Sequence, residues 1–390
     1  MVCVLVIVSG CTLSIKNPDD LESLLQDDYY QVSESRPITN SFVEPSSSVH
    51  ELVKHMTLKQ KVGQLVITGF EGTVKPQDLE LFIRDYQASG FILFNRNIQN
   101  SDQTTSLIQY GNSLIQTPGL VVRLPLIWCL NEEGGSAQKI PLDLGSFISA
   151  RNLGRQNDLN RSYDHGVELG LAMRALGLNT SLGPVFDYGE EGSWLWERTY
   201  SNNVEQVAYH ASAVMTGLRQ SGVQSIVQHF PGLGATNIED SVYGFLSNEA
   251  SFTQLLTKEL IPYQNAIDNG AKMMLVSHLE LSQLDPSNIA SLSRIIINDL
   301  LREKMGFNGI VICDDLNSSS LTMTYKPGEA AIKAIQAGCD MVLVCFNRDD
   351  QKQVFESLYQ ACLDGVISEE RLDHSVARII AFKQHYLLWP

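Results

Sequence analysis

Eight short runs of β-branched and apolar residues, separated by stretches with helical periodicity, constrain the fold of this chain more than any other feature. The runs cover residues 63–70, 90–95, 124–129, 178–186, 223–228, 272–277, 309–313 and 341–345, and helical patterns cover 76–89, 101–116, 162–175, 204–220, 251–269, 293–304 and 329–337. Regular alternation of strands and helices is typical of a parallel sheet. Eight strands predict an α/β fold closed into a (β/α)8 TIM-type barrel, in preference to an open doubly wound sheet. A final amphipathic helix at 368–388 is expected to pack on the outside of the barrel.

The 390 residues divide into three segments. Residues 49–390 carry the strand and helix pattern and are expected to form one barrel domain, whereas 12–48 are acidic and Ser-rich, which is typical of a tether. Residues 1–11 begin with a short apolar run and end in VSGC, which resembles the lipobox of bacterial lipoproteins, whose cysteine is acylated. We therefore predict a lipoprotein-type signal segment with lipidation at Cys11; the alternative is an apolar N-terminus without such a signal. No later run reaches the roughly 18 apolar residues of a membrane span, so attachment by lipid alone is expected.

The composition narrows the classes of partner. The net charge is −16 at pH 7 and no cluster of five basic residues occurs, which argues against nucleic acid as a partner. The seven cysteines include no CxxC pair and no spacing with histidine suited to zinc. Nothing else in the sequence indicates a cofactor or a metal, and nothing indicates an oligomeric state.

Polar side chains follow several of the predicted strands, where a barrel enzyme has its active site. The third strand is followed by NEEGG at 131–135, and the fourth by Asp187 and then a loop with Trp194 and Arg198. Aromatic and arginine side chains on one loop suit a sugar, because its C–H faces stack on rings while its hydroxyls take charged partners. The alternative for any one of these residues is a structural cap.

Two further strand ends carry the sharpest signals. Asp314 and Asp315 follow the seventh strand, and an aspartate in this position is suited to be the nucleophile of a glycosidase or the cap of the next helix. Two adjacent aspartates leave room for both roles, with one side chain turned inward and the other outward. The fifth strand runs into QHFPGLGATNIEDSVYG at 228–244, whose composition suits either an active-site loop or an ordinary turn.

Taken in order, these segments resemble the N-terminal barrel domain of glycoside hydrolase family 3, in particular single-domain bacterial β-N-acetylglucosaminidases (β-N-acetylhexosaminidases). The resemblance rests on ILFNRN, NEEGGSAQKI, GPVFD, ERTYS, QHFPGLGATNIEDS, GFNGIVICDDL, IQAGCDMVLV and DGVISEERLDHSVARIIAFK. It implies hydrolysis with retention of configuration through a covalent glycosyl–enzyme intermediate, with Asp314 as the nucleophile. It also implies that Arg198 and His229 bind the sugar and that Asp240 partners the catalytic histidine of the family.

Five positions depart from the family pattern, all of them within the implied site. Val242 stands where the family has its catalytic histidine, Gln228 replaces a lysine and Leu233 replaces a histidine. Asn131 replaces an aspartate and Ser136 replaces an arginine. Gln228 and Asn131 thus bring neutral side chains to implied substrate-binding positions. Loss of a general acid costs about 10²- to 10⁴-fold in rate, so the resemblance implies a weak enzyme.

Glu239, Asp240 and Tyr243 are the candidates for a substitute proton donor, since burial raises the pKa of a carboxyl toward neutrality. The implied function is hydrolysis of terminal β-linked N-acetylglucosamine in peptidoglycan fragments or related glycans, by an extracytoplasmic protein anchored to a bacterial membrane by lipid. A β-glucosidase or β-xylosidase of the same family fits less well, because those enzymes usually take their acid from a further domain. The alternative from another class is a catalytically inactive barrel that binds a sugar or a protein at the cell envelope.

Overall fold

The computed structural model describes residues 5–8, 11–14, 42–116, 124–234, 236 and 246–387. By its internal contacts the chain forms two units, Met1–Thr39 and Asn40–Pro390. In the first unit, the strands Leu5–Val8 and Cys11–Ser14 pair in antiparallel fashion. The first helix of the second unit is Ser47–His55, and it includes the boundary predicted between the tether and the barrel domain.

Eight parallel strands close into a barrel in the second unit. In chain order they are β1 (Val66–Thr68), β2 (Gly90–Leu93), β3 (Ile127–Leu130), β4 (Thr180–Val185), β5 (Gln224–Phe230), β6 (Met273–Val276), β7 (Ile310–Cys313) and β8 (Met341–Val344). Each strand pairs with the next one in the chain, and β8 closes on β1 with Val342 opposite Val66. The prediction of a (β/α)8 TIM-type barrel is therefore confirmed.

Helices follow the strands and surround the barrel. The main helices after β1 to β8 are, in order, Gln77–Arg84, Ser101–Leu114, Leu159–Leu176, Val204–Gln220, Ile261–Asp268, Ile295–Lys304, Pro327–Ala337 and Arg348–Leu363. All of these are α-helices except Ile295–Lys304, which is a π-helix. Further α-helices are Ser47–His55 and Leu58–Gln64 before β1, Ala150–Gln156, Phe252–Thr257 and Ser319–Thr322 within the connections, and Glu369–Tyr386 at the end.

Side chains at the N-cap position fix the starts of several helices. The side chains of Asn100, Asp158, Asn203, Asn347 and Ser368 each accept a hydrogen bond from a backbone N–H in the first turn of the helix that follows. Such a cap satisfies a donor that has no partner within the helix and contributes about 1 kcal/mol. The sequence therefore specifies locally where these crossover helices begin.

The strands are buried on both faces, because side chains fill the barrel interior on one side and helices cover the other. Every residue of the eight strands is buried. This double burial explains why the strands read as continuous apolar runs rather than as alternating patterns. Between neighbouring strands, the rings of Phe91 and Trp128 pack with their centroids 5.3 Å apart.

A buried ion cluster joins the end of the chain to the start of β8. The Asp340 carboxylate accepts from Arg302 Nη2 at 2.7 Å, from Arg378 Nη1 at 2.6 Å and from the backbone N–H of Val311 at 3.0 Å. Burial alone would raise the pKa of Asp340, but the charges of Arg378, Arg302 and Arg371 hold it well below its usual range. The cluster therefore holds an anion at the amino ends of β7 and β8, where three arginines compensate its charge.

The loops at the carboxyl ends of the strands form the opposite face. A short parallel pair of strands, Leu246–Ser247 with Leu279–Glu280, connects the segments that follow β5 and β6. Residues 235 and 237–245 of the loop after β5 lie outside the described residues. Among the helices that the structure describes, none combines the length and the apolar character needed to cross a bilayer.

Candidate active site

Glu133 and Arg198 form the first pair of the site, across the ends of β3 and β4. The Arg198 guanidinium donates from Nε to Glu133 Oε2 and from Nη2 to Glu133 Oε1, both at 2.7 Å. Burial favours a raised pKa for Glu133, but its hydrogen bonds and ion pair with Arg198 outweigh this effect, and the charges of His229 and Lys139 add to the lowering. Arg198, one of the predicted sugar-binding residues, is thus held in a fixed orientation by a carboxylate that remains charged.

The loop after β3 reaches this geometry through a tight turn. Gly134 has φ of 68°, and a Cβ atom there would lie 2.4 Å from the carbonyl oxygen of Ile148, so only glycine fits. Glu132 accepts from the backbone N–H groups of Gly134, Lys139 and Ile140 at 2.6 to 2.8 Å. The first glutamate of NEEGG therefore shapes the loop, and the second one faces Arg198.

Asn131 lies beside this pair at the end of β3. In the amide orientation that satisfies its hydrogen bonds, its nitrogen donates to Glu133 Oε1 and to the carbonyl oxygen of Leu182, each at 3.0 Å. An aspartate at this position has no proton to donate and would place a second negative charge against Glu133. The neutral side chain is thus compatible with a charged Glu133. Ser136, another departure from the family pattern, lies exposed in the 3-10 turn Gly135–Ala137.

His229 and Asp187 form the second pair, across the ends of β5 and β4. Asp187 Oδ2 lies 2.7 Å from His229 Nδ1 and accepts the His229 backbone N–H at 3.1 Å. Asp187 Oδ1 accepts from the backbone N–H of Leu233 and from the hydroxyl of Tyr263, each at 2.7 Å. Because the carboxylate is the acceptor, the proton of a neutral His229 ring lies on Nδ1, which leaves Nε2 as the atom available to a ligand.

Burial would raise the pKa of Asp187, but the charge and hydrogen bond of His229, the Leu233 N–H and the Tyr263 hydroxyl together lower it. Asp187 is completely buried and therefore acts through His229 rather than directly on a ligand. The sequence identified it only as a polar residue at a strand end. The role of Tyr263 was missed, because it lies on the helix after β5 with no motif around it.

Gln228 and Leu233, the two uncharged replacements around His229, are both buried. Gln228 Nε2 donates to the carbonyl oxygen of Leu182 in β4 at 3.3 Å. Leu233 contributes its backbone N–H to Asp187, and its carbonyl oxygen accepts from the hydroxyl of Thr236 at 2.6 Å. Neither side chain brings charge to the site. Gln228 and Leu233 instead make contacts within the protein that support the site.

Asp314 follows β7 directly and is partly exposed, as is Asp315. The Asp314 backbone N–H donates to the carbonyl oxygen of Val276 in β6 at 3.0 Å, and Asp314 Oδ1 accepts from the Asp315 N–H at 2.7 Å. Burial acts to lower the pKa of Arg198, but the contribution of Glu133 raises it. The charge of Asp314 adds a smaller effect in the same direction as Glu133. Asp314 thus lies within electrostatic range of the guanidinium across the barrel mouth.

Asp315 has a different role from its neighbour. Its Oδ1 accepts from the backbone N–H groups of Asn317 and Cys345, each at 3.1 Å, and so connects the loop after β7 to the end of β8. Burial raises the pKa of Asp315 to about 6, against the effect of these hydrogen bonds, and the charge of Asp314 adds to the rise. The two adjacent aspartates therefore have different roles: Asp315 is structural, and Asp314 remains the candidate nucleophile.

Several predicted residues lie outside this cluster or outside the described part of the chain. Asp240, Val242 and the candidate donors Glu239 and Tyr243 fall within the segment 237–245, which is not described. Cys11 begins the second strand of the N-terminal hairpin, in the separate unit Met1–Thr39. Within the described ranges, no group of three or more His, Cys, Asp or Glu side chains is arranged to hold a metal ion.

The arrangement presents a fixed guanidinium, an oriented imidazole and a partly exposed carboxylate at the mouth of one barrel. Arg198 is positioned by the partly buried Glu133 and His229 by the buried Asp187, whereas the Asp314 carboxylate accepts the backbone N–H of Asp315. Fixed donors of this kind suit the hydroxyl groups of a sugar, and a carboxylate beside them suits attack on an anomeric carbon.

Comparisons with known proteins support this interpretation. Residues 57–382 match the family described as "Glycosyl hydrolase family 3 N terminal domain". A beta-hexosaminidase of Nitrosospira multiformis is 30% identical over 302 residues, which cover 75% of this chain and 84% of that protein. An uncharacterized secreted glycosyl hydrolase of Arthroderma benhamiae is 28% identical over 332 residues, 84% of this chain and 93% of that protein.

A solved structure gives the same result for the fold. It is a glycoside hydrolase family 3 beta-N-acetylglucosaminidase from Paenibacillus sp., and it superimposes with a TM-score of 0.81 at 31% sequence identity. The alignment covers 85% of this chain and 63% of that one, so the chain spans less than two thirds of the Paenibacillus protein. The resemblance inferred from the motifs is confirmed by these matches, and the chain belongs to glycoside hydrolase family 3.

Proposed function

We propose that this protein is a retaining β-N-acetylhexosaminidase that removes terminal β-linked N-acetylglucosamine from peptidoglycan fragments or related glycans. The observation that carries the proposal is the convergence of Arg198 held by Glu133, His229 held by Asp187, and Asp314 at the end of β7. The names beta-hexosaminidase and beta-N-acetylglucosaminidase, borne by two of the relatives, support this substrate class.

The proposed chemistry is a two-step displacement at the anomeric carbon. Asp314 attacks that carbon while the bond to the leaving oxygen breaks and the oxygen takes a proton. Water then hydrolyses the glycosyl–enzyme ester, which releases the sugar with retained configuration and regenerates the Asp314 carboxylate. The proton donor is expected within 237–245, from Glu239, Asp240 or Tyr243. Because Val242 replaces the histidine of the family, we expect weak activity on substrates whose leaving group needs a proton.

The neighbours of Asp314 suit a nucleophile that attacks as an anion. His278 lies behind the strand end, where its Nδ1 is 2.7 Å from Ser291 Oγ and its Nε2 is 3.0 Å from the carbonyl oxygen of Asp315. Burial lowers the pKa of His278, so this ring is neutral at pH 7 and does not protonate the carboxylate. Arg198 is a cation that interacts electrostatically with Asp314, and it stabilises negative charge at the mouth of the barrel.

A second candidate function is a catalytically inactive barrel that binds a sugar or a protein at the cell envelope. Three uncharged side chains favour it, because Asn131, Gln228 and Leu233 all make contacts within the protein at positions where the family carries ionisable groups. The scaffold around them is complete, so binding without turnover is compatible with the same fold.

We also propose that the protein is extracytoplasmic and attached to a bacterial membrane through lipid on Cys11. The VSGC sequence supports lipidation, and the secreted description of the Arthroderma relative supports an extracytoplasmic location. Metabolic labelling of cells with an alkyne fatty acid tests the attachment. Label on the wild type and none on Cys11→Ala is expected, and equal labelling of both would contradict the proposal.

The decisive experiment for catalysis is covalent trapping. The protein is incubated with a 5-fluoro N-acetylglucosaminyl fluoride, whose fluoride leaves without a proton and whose ring fluorine slows hydrolysis of the ester. We expect intact mass to rise by one fluorinated glycosyl unit in the wild type and not in Asp314→Asn, with the adduct mapped to the Asp314 peptide. No adduct, together with calorimetric binding of N-acetylglucosamine, would favour the inactive binding protein, and absence of both would contradict either function.

A further inference from the structure

An aromatic cluster lies beside the candidate site, on loops that the catalytic proposal does not use. Phe346 follows β8 and is 50% exposed, although it belongs to a residue type that is usually buried. Its ring centroid is 4.9 Å from that of Phe94, which follows β2. The guanidinium carbon of Arg96 lies 4.5 Å from the Phe94 centroid and 4.9 Å from the Phe346 centroid. We call Phe94, Arg96 and Phe346 the aromatic platform.

The platform is fixed by hydrogen bonds from Arg96, which follows β2, to the segments after two other strands. Arg96 Nη2 donates to the carbonyl oxygen of Cys345 at 2.7 Å, and its Nε donates to that of Phe70 at 3.0 Å. The same Nε lies 2.9 Å from Glu71 Oε1. The arginine therefore connects the loops after β1, β2 and β8 beneath the rings. A surface that is ordered in advance loses little conformational entropy when it binds a ligand.

The platform is connected directly to the loop of the nucleophile. The Phe346 N–H donates to Asn317 Oδ1 at 3.2 Å, and the Cys345 N–H donates to Asp315 Oδ1 at 3.1 Å. Both acceptors lie within three residues of Asp314. In a closed barrel of eight strands, β8 adjoins β7, whereas the loop that carries Trp194 and Arg198 follows β4 on the opposite side. The platform is thus the wall of the barrel mouth next to Asp314.

The size of the exposed surface decides which ligand it suits. Among the described residues, the exposed aromatic side chains are Tyr209, Phe346 and Tyr359, and both tyrosines lie on outer helices. The exposed area of one half-exposed ring is far smaller than the roughly 1,000 Å² of buried area that a specific protein interface needs. A single ring does match the apolar C–H face of one pyranose, whose hydrogens carry partial positive charge and are attracted to the negative face of an aromatic ring.

The proposed function assigns the terminal sugar to Arg198 and His229, so every further sugar of the substrate lies on the leaving-group side of the scissile bond. We infer that the aromatic platform binds this leaving-group sugar, with its pyranose ring stacked on Phe346. The inference rests on the proposed function, because it assigns a second subsite to the same reaction. A substrate with a second sugar then gains a contact that a substrate with a small leaving group lacks. The platform makes the protein selective for oligosaccharides over simple glycosides of N-acetylglucosamine.

The test compares a substrate that has this second ring with one that lacks it, and reads the effect of each variant from the ratio of the two rates. N-acetyl-β-glucosaminyl fluoride has no ring in its leaving group, and N,N′-diacetylchitobiose has a second N-acetylglucosamine there. For Phe346→Ala, we expect the ratio of kcat/KM for the disaccharide to that for the fluoride to fall roughly three- to tenfold. Phe346→Tyr keeps a stacking ring and should keep the ratio, whereas Phe346→Leu keeps apolar volume without a ring and should lose it.

Tyr209→Ala is the matched control, because Tyr209 is 53% exposed on an outer helix and should leave both rates unchanged. An unchanged ratio in Phe346→Ala overturns the inference even if the wild type hydrolyses the fluoride. If the wild type hydrolyses neither substrate, the proposed function fails, and calorimetry decides the inference separately. Weaker binding of the disaccharide, but not of N-acetylglucosamine, by Phe346→Ala then supports it. Equal binding by both proteins, or no binding by the wild type, overturns it.

Discussion

The Asp187 carboxylate holds His229 by both its ring and its backbone, with Oδ2 2.7 Å from Nδ1 and 3.1 Å from the backbone nitrogen. The other oxygen holds Leu233 and Tyr263, so one buried residue orients the imidazole and the first turn of the loop that follows it. Four donors converge on this carboxylate, which explains its lowered pKa in spite of complete burial. His229 is therefore positioned by a group that no ligand touches.

Asp187→Asn should weaken both the site and the fold. The amide has only one acceptor oxygen, so at least one donor among His229, Leu233 and Tyr263 loses its partner. We expect kcat/KM for N-acetyl-β-glucosaminyl fluoride to fall at least tenfold and the free energy of unfolding to fall by about 1–3 kcal/mol. In the wild type, the Asp187 carboxylate should make its full contribution to the free energy of unfolding above about pH 4, the pKa of an unfolded aspartate. This contribution should be lost as the pH falls through the lower pKa of Asp187 in the folded state.

Fluoride release and urea denaturation measure these two effects. Asp164→Asn is the control, because Asp164 is exposed on the helix Leu159–Leu176 and its charge can be removed without exposing a buried donor. If Asp187→Asn matches this control in stability at pH 7, the four hydrogen bonds do not hold the loop as described.

The pair of Glu133 and Arg198 should behave as a unit. Arg198→Lys keeps the charge but cannot form the two parallel hydrogen bonds, and Glu133→Gln leaves the guanidinium without its anionic partner. We expect each variant to lower kcat/KM about ten- to hundredfold, the range for charge-assisted hydrogen bonds. The double variant should cost little more than either single one, because the second change removes an interaction that is already lost. Multiplicative losses would show that the two residues act independently.

Much of this molecule could be predicted from its sequence, because the signals that set it are local. The strands of the barrel are buried on both faces and read as apolar runs, and motifs predict Arg198, His229 and Asp314 as residues of the site. The roles of Asp187 and Tyr263 could not be predicted, because they depend on contacts over 42 and 76 residues of sequence separation. Such contacts exist only after the barrel brings distant strand ends together.

Local sequence also left open which member of NEEGG faces the site. The choice depends on the backbone of Gly134 and Gly135, whose φ values of 68° and 57° turn the chain so that Glu132 accepts backbone N–H groups and Glu133 meets Arg198. Two neighbouring glutamates with the same side chain thus have different roles. Spacing alone gives no means of distinguishing them.

Val242→His should restore part of the missing acid catalysis. We expect kcat on N,N′-diacetylchitobiose to rise at least tenfold, since its leaving oxygen needs a proton and a positioned acid contributes about 10²- to 10⁴-fold. Hydrolysis of N-acetyl-β-glucosaminyl fluoride should change little, because fluoride leaves as an anion. The gain should disappear in Val242→His combined with Asp240→Asn, which removes the implied partner of the histidine. Equal gains on both substrates would contradict a role in protonation, and Val74→His, at an exposed valine, is the control.

Lys383 gives the structure a dependence on pH that is independent of catalysis. It is completely buried on the last helix, and its Nζ donates to Gln64 Oε1 and to the carbonyl oxygen of Ser89, each at 2.8 Å. Two acceptors match the two protons of a neutral amine, and burial lowers the pKa of Lys383 to about 7. Above that pH the unfolded chain binds more protons at this residue than the folded one, so its contribution makes stability rise with pH.

We expect the stability advantage of Lys383→Met over the wild type, measured by urea denaturation, to shrink by about 2 kcal/mol between pH 7 and pH 9. Lys272, whose pKa is lowered to about 8, titrates in both proteins and cancels in this difference. Lys59→Met removes an exposed lysine and is the control for replacing a lysine by methionine at the surface. If the difference between Lys383→Met and the wild type stays constant between pH 7 and pH 9, Lys383 is protonated in the folded protein across this range.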